Sequence, residues 1–168
     1  MRVGKFIVSF GMLAALCATV GQTQEKQIVL TPVKYDRLKQ EVVKHRGKVL
    51  LVDFWATFCA PCMKSFPTFI AMHKKYASRG FEVIAVSVDD PKQVESAQTF
   101  LMRNGSPFHH FLLNESPDYW SAKLKCASLP CYFVFDRQGR WVRFGGETGK
   151  NVDYDELEKL VVNLLTEK

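Results

Sequence analysis

The chain has 168 residues, of which 47% are hydrophobic, and it carries a formal net charge of +6 at pH 7. This length and composition suffice for one domain with a full hydrophobic core, without a structural metal or several disulfides. The basic residues are dispersed along the chain, whereas a nucleic-acid-binding surface would cluster them. The sequence contains no phosphate-binding loop, no dinucleotide-binding glycine motif and no internal repeat, so no cofactor is expected.

The first 21 residues have the composition of an export signal. Two basic residues precede an apolar stretch, 6–20, and Gly21 offers a cleavage edge. The stretch is shorter than the roughly 20 residues that span a bilayer comfortably, so a permanent anchor is the less favoured alternative. We therefore expect residues 1–21 to be a signal peptide and residues 22–168 to form the domain. The expected location is periplasmic or otherwise extracytoplasmic.

Strands and helices are predicted to alternate through the rest of the chain. In order, the predictions are a strand at 27–30, a helix at 35–44, a strand at 48–54, a helix from the following cysteines to about 79, a strand at 81–88, a helix at 91–103 behind an Asp89-Asp90-Pro91 cap, a strand at 111–113, a helix at 118–125, a hairpin of 132–136 with 140–144, and a helix at 153–165. Continuous apolar runs, as at 48–54 and 81–88, are typical of central strands covered on both faces. The pattern predicts an α/β fold with a central mixed β-sheet flanked by helices.

Two cysteines, Cys59 and Cys62, lie where the predicted strand 48–54 gives way to a helix. Two thiols at this spacing can close and open a small disulfide ring. The start of a helix lowers the pKa of the first thiol, so the pair suits electron exchange. The spacing alone is not specific, because zinc sites use it too.

Asp53 is an acidic residue inside the otherwise apolar strand that leads to the cysteines. Burial at such a position would raise the pKa of its carboxyl group toward the working pH, which suits a proton acceptor. The structural alternative is a hydrogen-bonded aspartate at the end of a strand.

The segment Trp55–Cys62 (Trp-Ala-Thr-Phe-Cys-Ala-Pro-Cys), with Pro67 five residues beyond it, resembles the thioredoxin superfamily. It is most similar to the exported thiol–disulfide reductases of the TlpA and ResA kind. Segments 81–89, 91–113 and 128–136 resemble that group's strand after the active-site helix, its extra helix–strand insertion and its proline-plus-strand element. The resemblance implies a thioredoxin fold with a helix–strand insertion after the active-site helix.

The resemblance also implies roles for individual residues. Cys59 would be the nucleophile, Cys62 the resolving cysteine and Asp53 the proton acceptor of a dithiol–disulfide cycle. Pro130 would be a cis-proline lying against the cysteine pair. The residues implied to contact a substrate are Trp55, Phe58, Pro61, Leu129 and Pro130. The chain departs from the group at Ser65, where a glutamate is usual, so Asp53 would act alone or with water.

Cys126 and Cys131 flank Ala-Ser-Leu-Pro and have no counterpart in the resemblance. One interpretation is that both are buried and serve as small hydrophobic residues. A second is a Cys126–Cys131 disulfide that stiffens the proline loop. A third is an electron relay, or a four-thiol metal site, shared with Cys59 and Cys62.

The expected function is an exported thiol–disulfide oxidoreductase that reduces oxidised proteins, since Ala60-Pro61 lacks the histidine of strongly oxidising relatives. By family analogy, we expect a membrane electron donor of the DsbD or CcdA kind, cytochrome c maturation as a candidate role, and a monomer. Three alternatives stay open: a thiol-dependent peroxidase of the same fold, a non-catalytic disulfide domain, and a metal-binding carrier or chaperone. The last would use Cys59, Cys62, Cys126 and Cys131, whereas the preferred function needs no metal.

Overall fold

The structure is a computed structural model that describes residues 28–167. The predicted signal peptide, 1–21, and the first residue of the predicted strand 27–30 lie outside the described residues. Within residues 28–167, no helix is both long enough and apolar enough to cross a membrane.

Six strands within the described residues form one mixed sheet in the order β1-β4-β3-β2-β5-β6. The strands are β1 (Thr31–Val33), β2 (Val49–Trp55), β3 (Phe81–Ser87), β4 (His109–Leu113), β5 (Cys131–Phe135) and β6 (Trp141–Gly145). The first four strands in the sheet pair in parallel, whereas β5 pairs antiparallel with both β2 and β6. The predicted mixed sheet is therefore confirmed.

In the part of the chain that the structure describes, five α-helices cover the sheet. They are α1 (Tyr35–Val43), α2 (Ala60–Tyr76), α3 (Val94–Arg103), α4 (Pro117–Leu124) and α5 (Tyr154–Thr166). The helix–strand unit α3–β4 follows the helix that begins at the cysteines, as predicted, and it places β4 between β3 and β1.

Strand β2 divides the interior into two cores because its side chains alternate between the two faces of the sheet. All seven of its residues are buried. Val49, Leu51 and Trp55 face the core formed with α2, α3 and α5. Leu50, Val52 and Phe54 face the core formed with α1 and α4. The central position of β2 fixes the point at which the chain enters α2.

Helix α2 has clear signals at both ends. Its N-cap is Cys59, and Pro61 lies in the first turn, where a missing N–H costs nothing. After Tyr76, one turn of 3-10 helix leads to Gly80, whose positive φ of 91° ends the element. Pro67 lies inside the helix.

The first strand is displaced from its predicted position. It is Thr31–Val33 instead of 27–30, because it pairs with β4 in the register Thr31 to Phe111. Pro32 lies within β1, and β1 is an edge strand, where a proline is tolerated. The helix predicted at 91–103 begins with a 3-10 turn at Pro91–Gln93 before α3.

Candidate active site

Cys59 and Cys62 are joined by a disulfide across the first turn of α2. The backbone N–H of Cys62 donates to Sγ of Cys59 at 3.2 Å. In the reduced state, this amide and the positive end of the helix dipole would stabilise a thiolate on Cys59 more than a thiol. Cys59 is 6% exposed and Cys62 is 2% exposed, so Cys59 is the more accessible residue of the two.

The turn before Cys59 is fixed by a buried carboxylate, Asp89. It accepts hydrogen bonds from the Thr57 backbone N–H at 2.9 Å and from the Thr57 hydroxyl at 2.6 Å. The Ser87 hydroxyl donates to its other oxygen at 2.8 Å. Sequence analysis assigned Asp89 only to a helix cap and missed this role, since Thr57 lies 32 residues away along the chain.

Asp53 lies in β2, and by strand alternation its side chain shares the sheet face of α2 with Leu51 and Trp55. It is 1% exposed, and its Oδ1 has no hydrogen-bond partner among the described residues. Burial raises the pKa of this carboxyl group well above its ordinary value. The predicted burial of Asp53 is confirmed. The alternative, a hydrogen-bonded aspartate, does not hold for Oδ1 among the described residues.

A chain of hydroxyl groups runs beside Asp53. The register of the sheet places Tyr132 directly opposite Asp53, and the Tyr132 hydroxyl lies 2.9 Å from Oγ of Ser65 and 3.2 Å from the hydroxyl of Tyr154. The Ser65 hydroxyl donates to the Cys62 carbonyl at 3.0 Å. Burial, and next the charge of Asp53, raise the pKa of Tyr132, so this phenol stays protonated. Sequence analysis noted Ser65 as a departure from the family but did not find its partners.

A groove of about 480 Å³ opens beside the disulfide. Three of the predicted substrate-contact residues, Phe58, Pro61 and Leu129, line it together with Cys59. Phe58 is 70% exposed, which is unusual for a large apolar side chain and typical of a binding surface. The groove wall across from α2 is the loop that ends at Pro130, and the Leu129–Pro130 peptide bond is cis, as the resemblance implies.

Trp55 does not fit the substrate-contact prediction. Its side chain is fully buried and packs against the rings of Phe66 and Phe100 at centroid distances of 5.7 and 5.1 Å. Trp55 faces the core formed with α2, α3 and α5, so it supports the site from beneath.

The second cysteine pair also forms a disulfide, Cys126–Cys131, which corresponds to the second of the three interpretations. Both residues belong to the core on the α1 and α4 face, whereas Cys59 and Cys62 belong to the opposite core. Among residues 28–167, no group of three or more His, Cys, Asp or Glu side chains is arranged to hold a metal ion.

Residues 47–141 match the sequence model of a family described as thioredoxin-like. Two curated relatives are close in sequence. The thiol-disulfide oxidoreductase ResA of Geobacillus kaustophilus is 30% identical over 71% of this chain and 65% of its own length. The thiol:disulfide interchange protein HelX of Rhodobacter capsulatus is 32% identical over 68% of this chain and 62% of its own length. The chain thus spans somewhat less than two thirds of these relatives.

Among solved structures, one from Chlorobium tepidum assigned to the thiol:disulfide interchange protein DsbE is similar. It has 29% sequence identity and a TM-score of 0.61 over 74% of this chain and 84% of its own. The matched stretch 47–141 includes β2, both cysteine pairs, Asp53 and the groove.

Proposed function

The chain belongs to the thioredoxin-like family, and we propose that it is an exported thiol–disulfide oxidoreductase that reduces disulfides in proteins. The observation that carries this proposal is the Cys59–Cys62 disulfide at the N-terminus of α2, with its outer sulfur facing an open groove. The relatives named ResA, HelX and DsbE support the class of reaction.

The first chemical step belongs to Cys59. In the reduced protein, its thiolate attacks one sulfur of the substrate disulfide, whose S–S bond breaks while a mixed disulfide forms. The leaving substrate thiolate takes a proton from water. The Cys62 amide and the helix dipole favour the attacking thiolate, because both bring partial positive charge close to Sγ of Cys59.

The second step belongs to Cys62 and Asp53. The Cys62 thiol gives its proton to the Asp53 carboxylate and attacks Sγ of Cys59. The mixed disulfide breaks, the reduced substrate leaves, and two electrons have passed from the dithiol to the substrate. The raised pKa of Asp53 suits this role, because a carboxyl group with an ordinary pKa would be a poor proton acceptor near neutral pH.

The groove fits an extended protein segment better than a small charged molecule. Its described lining carries no charged side chain and presents apolar surface from Phe58, Pro61, Trp120 and Leu129. The substrate class is therefore an oxidised protein with apolar residues beside its disulfide. Phe58 would contact those residues while the substrate sulfur reaches Cys59.

A catalyst that ends each cycle oxidised needs a donor of electrons. We assign this role to a membrane dithiol protein of the DsbD or CcdA kind, which would restore the Cys59 and Cys62 thiols by the reverse exchange. Residues 1–21 would direct the chain, which acts as a monomer, to the extracytoplasmic side where such a donor opens. Cytochrome c maturation is one process that consumes this reductant.

Trapping of substrate by Cys62→Ser tests the proposal. The variant keeps the nucleophile but lacks the resolving thiol, so mixed disulfides with exported proteins should accumulate on Cys59. Cys59→Ser/Cys62→Ser is the matched control and should trap none. Recovery of no mixed disulfides above that control would contradict the order of attack.

Equilibration with glutathione tests the direction of electron flow. A reductant should give a potential near ~−270 mV, whereas an oxidant would lie near ~−120 mV. The Cys59–Cys62 pair should be followed by mass spectrometry of its own peptide, so that the other cysteines do not contribute. A reduction potential near ~−120 mV would overturn the assignment as a reductase.

A further inference from the structure

The second disulfide closes a ring around part of the groove wall. Cys126 and Cys131 enclose four residues, 127–130, and three of these line the groove beside Cys59. A covalent closure this short restricts the conformations open to the enclosed backbone. The wall against which a substrate would lie is therefore held at both of its ends.

The same loop is tied by hydrogen bonds to Gly146, the residue after β6. Its carbonyl accepts from the N–H groups of Ala127 at 2.8 Å and Ser128 at 3.3 Å. Its own N–H donates to the Pro130 carbonyl at 2.9 Å. Three backbone bonds to one residue leave the loop little freedom to move away from the sheet.

Gly146 can make these bonds because it has no side chain. A Cβ atom there would lie 3.0 Å from Sγ of Cys126 and 3.1 Å from Sγ of Cys131. Its φ of 78° is also one that other residues adopt at a cost. The preceding Gly145 is constrained more tightly still, since a Cβ atom there would clash with the Pro130 carbonyl oxygen.

The sulfurs of this pair are out of reach of any redox partner. Cys126 is 1% exposed and Cys131 is fully buried, packed in the core on the sheet face opposite Cys59. Thiol–disulfide exchange needs a thiolate to reach a disulfide sulfur directly. Neither cysteine of this pair is exposed to a partner protein, and the Cys59–Cys62 pair belongs to the other core.

We propose that the Cys126–Cys131 disulfide and Gly146 form a clasp, which positions the groove wall for substrate and takes no part in electron transfer. This inference rests on the proposed function, since it assigns positioning residues to that same groove. The clasp gives Cys126 and Cys131 a role that the catalytic cycle leaves unassigned.

Stepwise labelling of the full wild-type chain tests the redox part. After reduction under native conditions and removal of the reductant, the chain is alkylated in denaturant, and peptide mapping should find label on Cys59 and Cys62 but not on Cys126 or Cys131. The latter two should be labelled only when the reductant itself is added with denaturant. Equal labelling of both pairs after native reduction would overturn the clasp.

Kinetics of the Cys126→Ala/Cys131→Ala variant tests the positioning part, with insulin as the disulfide probe. Without the disulfide, the groove wall has to become ordered when substrate binds. KM of the variant should therefore rise about tenfold, equivalent to about 1.4 kcal/mol of binding free energy. Its kcat and the pH profile of Cys59 alkylation should stay unchanged. Leu165→Ala, in the last turn of α5, is the control that loses core packing away from the groove and should keep the wild-type KM.

Gly146→Ala provides a second route to the same test if the double variant fails to fold. This variant keeps both sulfurs but pushes a methyl group against them, so its KM should rise as in the double variant. An unchanged KM in the folded variants would contradict the clasp while leaving the proposed function intact. A wild-type chain that does not reduce insulin would instead contradict the proposed function, and the labelling order would still test the clasp.

Discussion

At the scale of single residues, Asp53 has opposite effects on stability and on chemistry. Its burial raises the pKa of the carboxyl group, and the ionised form that accepts a proton is the form that burial disfavours. The folded-state pKa lies above the unfolded value, so the stabilising contribution is complete at low pH. It is lost as the pH rises through the folded-state pKa.

Asp53→Asn should separate the two effects. The folded variant should gain stability relative to wild type by about 1.4 kcal/mol for each pH unit between the unfolded and folded pKa values. Its release of reduced substrate should slow by about a hundredfold, because the proton acceptor is gone. Urea unfolding across pH and single-turnover reduction measure the two. Equal stability of the two proteins at every pH would contradict the buried ionisation.

Burial shifts the pKa of His110 in the direction opposite to that of Asp53, so its effect on stability has the opposite dependence on pH. Burial lowers the pKa of its imidazole from 6.5 to about 4. A depressed folded-state pKa means that the stability is present above pH 6.5 and is lost as the pH falls toward 4.

We expect wild type to lose about 2 to 3 kcal/mol more than His110→Leu between pH 7 and pH 4.5, measured by urea unfolding. Comparison with the variant removes the contribution of the carboxyl groups that titrate in the same range. The control variant is His109→Asn, which removes the neighbouring, exposed imidazole whose charge contributes least to the His110 shift, so it should stay closer to wild type than His110→Leu does. Equal losses in wild type and His110→Leu would refute the assignment.

At the scale of elements, the turn between β2 and α2 depends on a residue from another strand end. Asp89 follows β3, yet it accepts the hydrogen bonds of Thr57 that orient the approach to Cys59. Because β2 and β3 are parallel neighbours, their carboxyl ends meet at the same edge of the sheet. The active-site turn is thus built by the sheet register.

Asp89→Ala should destabilise the protein by about 3 kcal/mol, since it leaves the partly buried donors of Thr57 and the buried hydroxyl of Ser87 without an acceptor. Asp90→Ala is the matched control. Asp90 is exposed, and among the described residues its side chain accepts only the Lys92 N–H, at 2.8 Å, so its loss should cost about 1 kcal/mol. Chemical denaturation measures both, and equal costs would contradict the role given to Asp89.

At the scale of the whole molecule, the order of elements follows from the sequence because it depends on local patterns. The apolar runs of β2 and β3, the cap and glycine that bound α2, and the amphipathic pattern of α5 all predict their elements. The position of β1 does not follow, since only its pairing with β4 decides which residues of an extended segment count as a strand.

In the candidate site, too, some features can be predicted from local sequence and others depend on the folded chain. Cys59, Cys62 and Asp53 are predictable from spacing and strand position, which are local. The contacts of Asp89 with Thr57 and of Tyr132 with Ser65 join residues 32 and 67 positions apart, so no local pattern contains them. The Cys126–Cys131 bond also stayed open at the sequence level, because pairing depends on the distance between two side chains in the folded chain.

The most direct test of the account is the pH dependence of Cys59 alkylation in the reduced Cys62→Ser variant, with the modified site identified by peptide mapping. The helix start should lower the pKa of the Cys59 thiol below the ordinary value of about 8.5. The midpoint of the alkylation rate should accordingly lie below that ordinary value. A midpoint at the ordinary value would mean that the fold does not activate this sulfur, and the proposed cycle would be wrong.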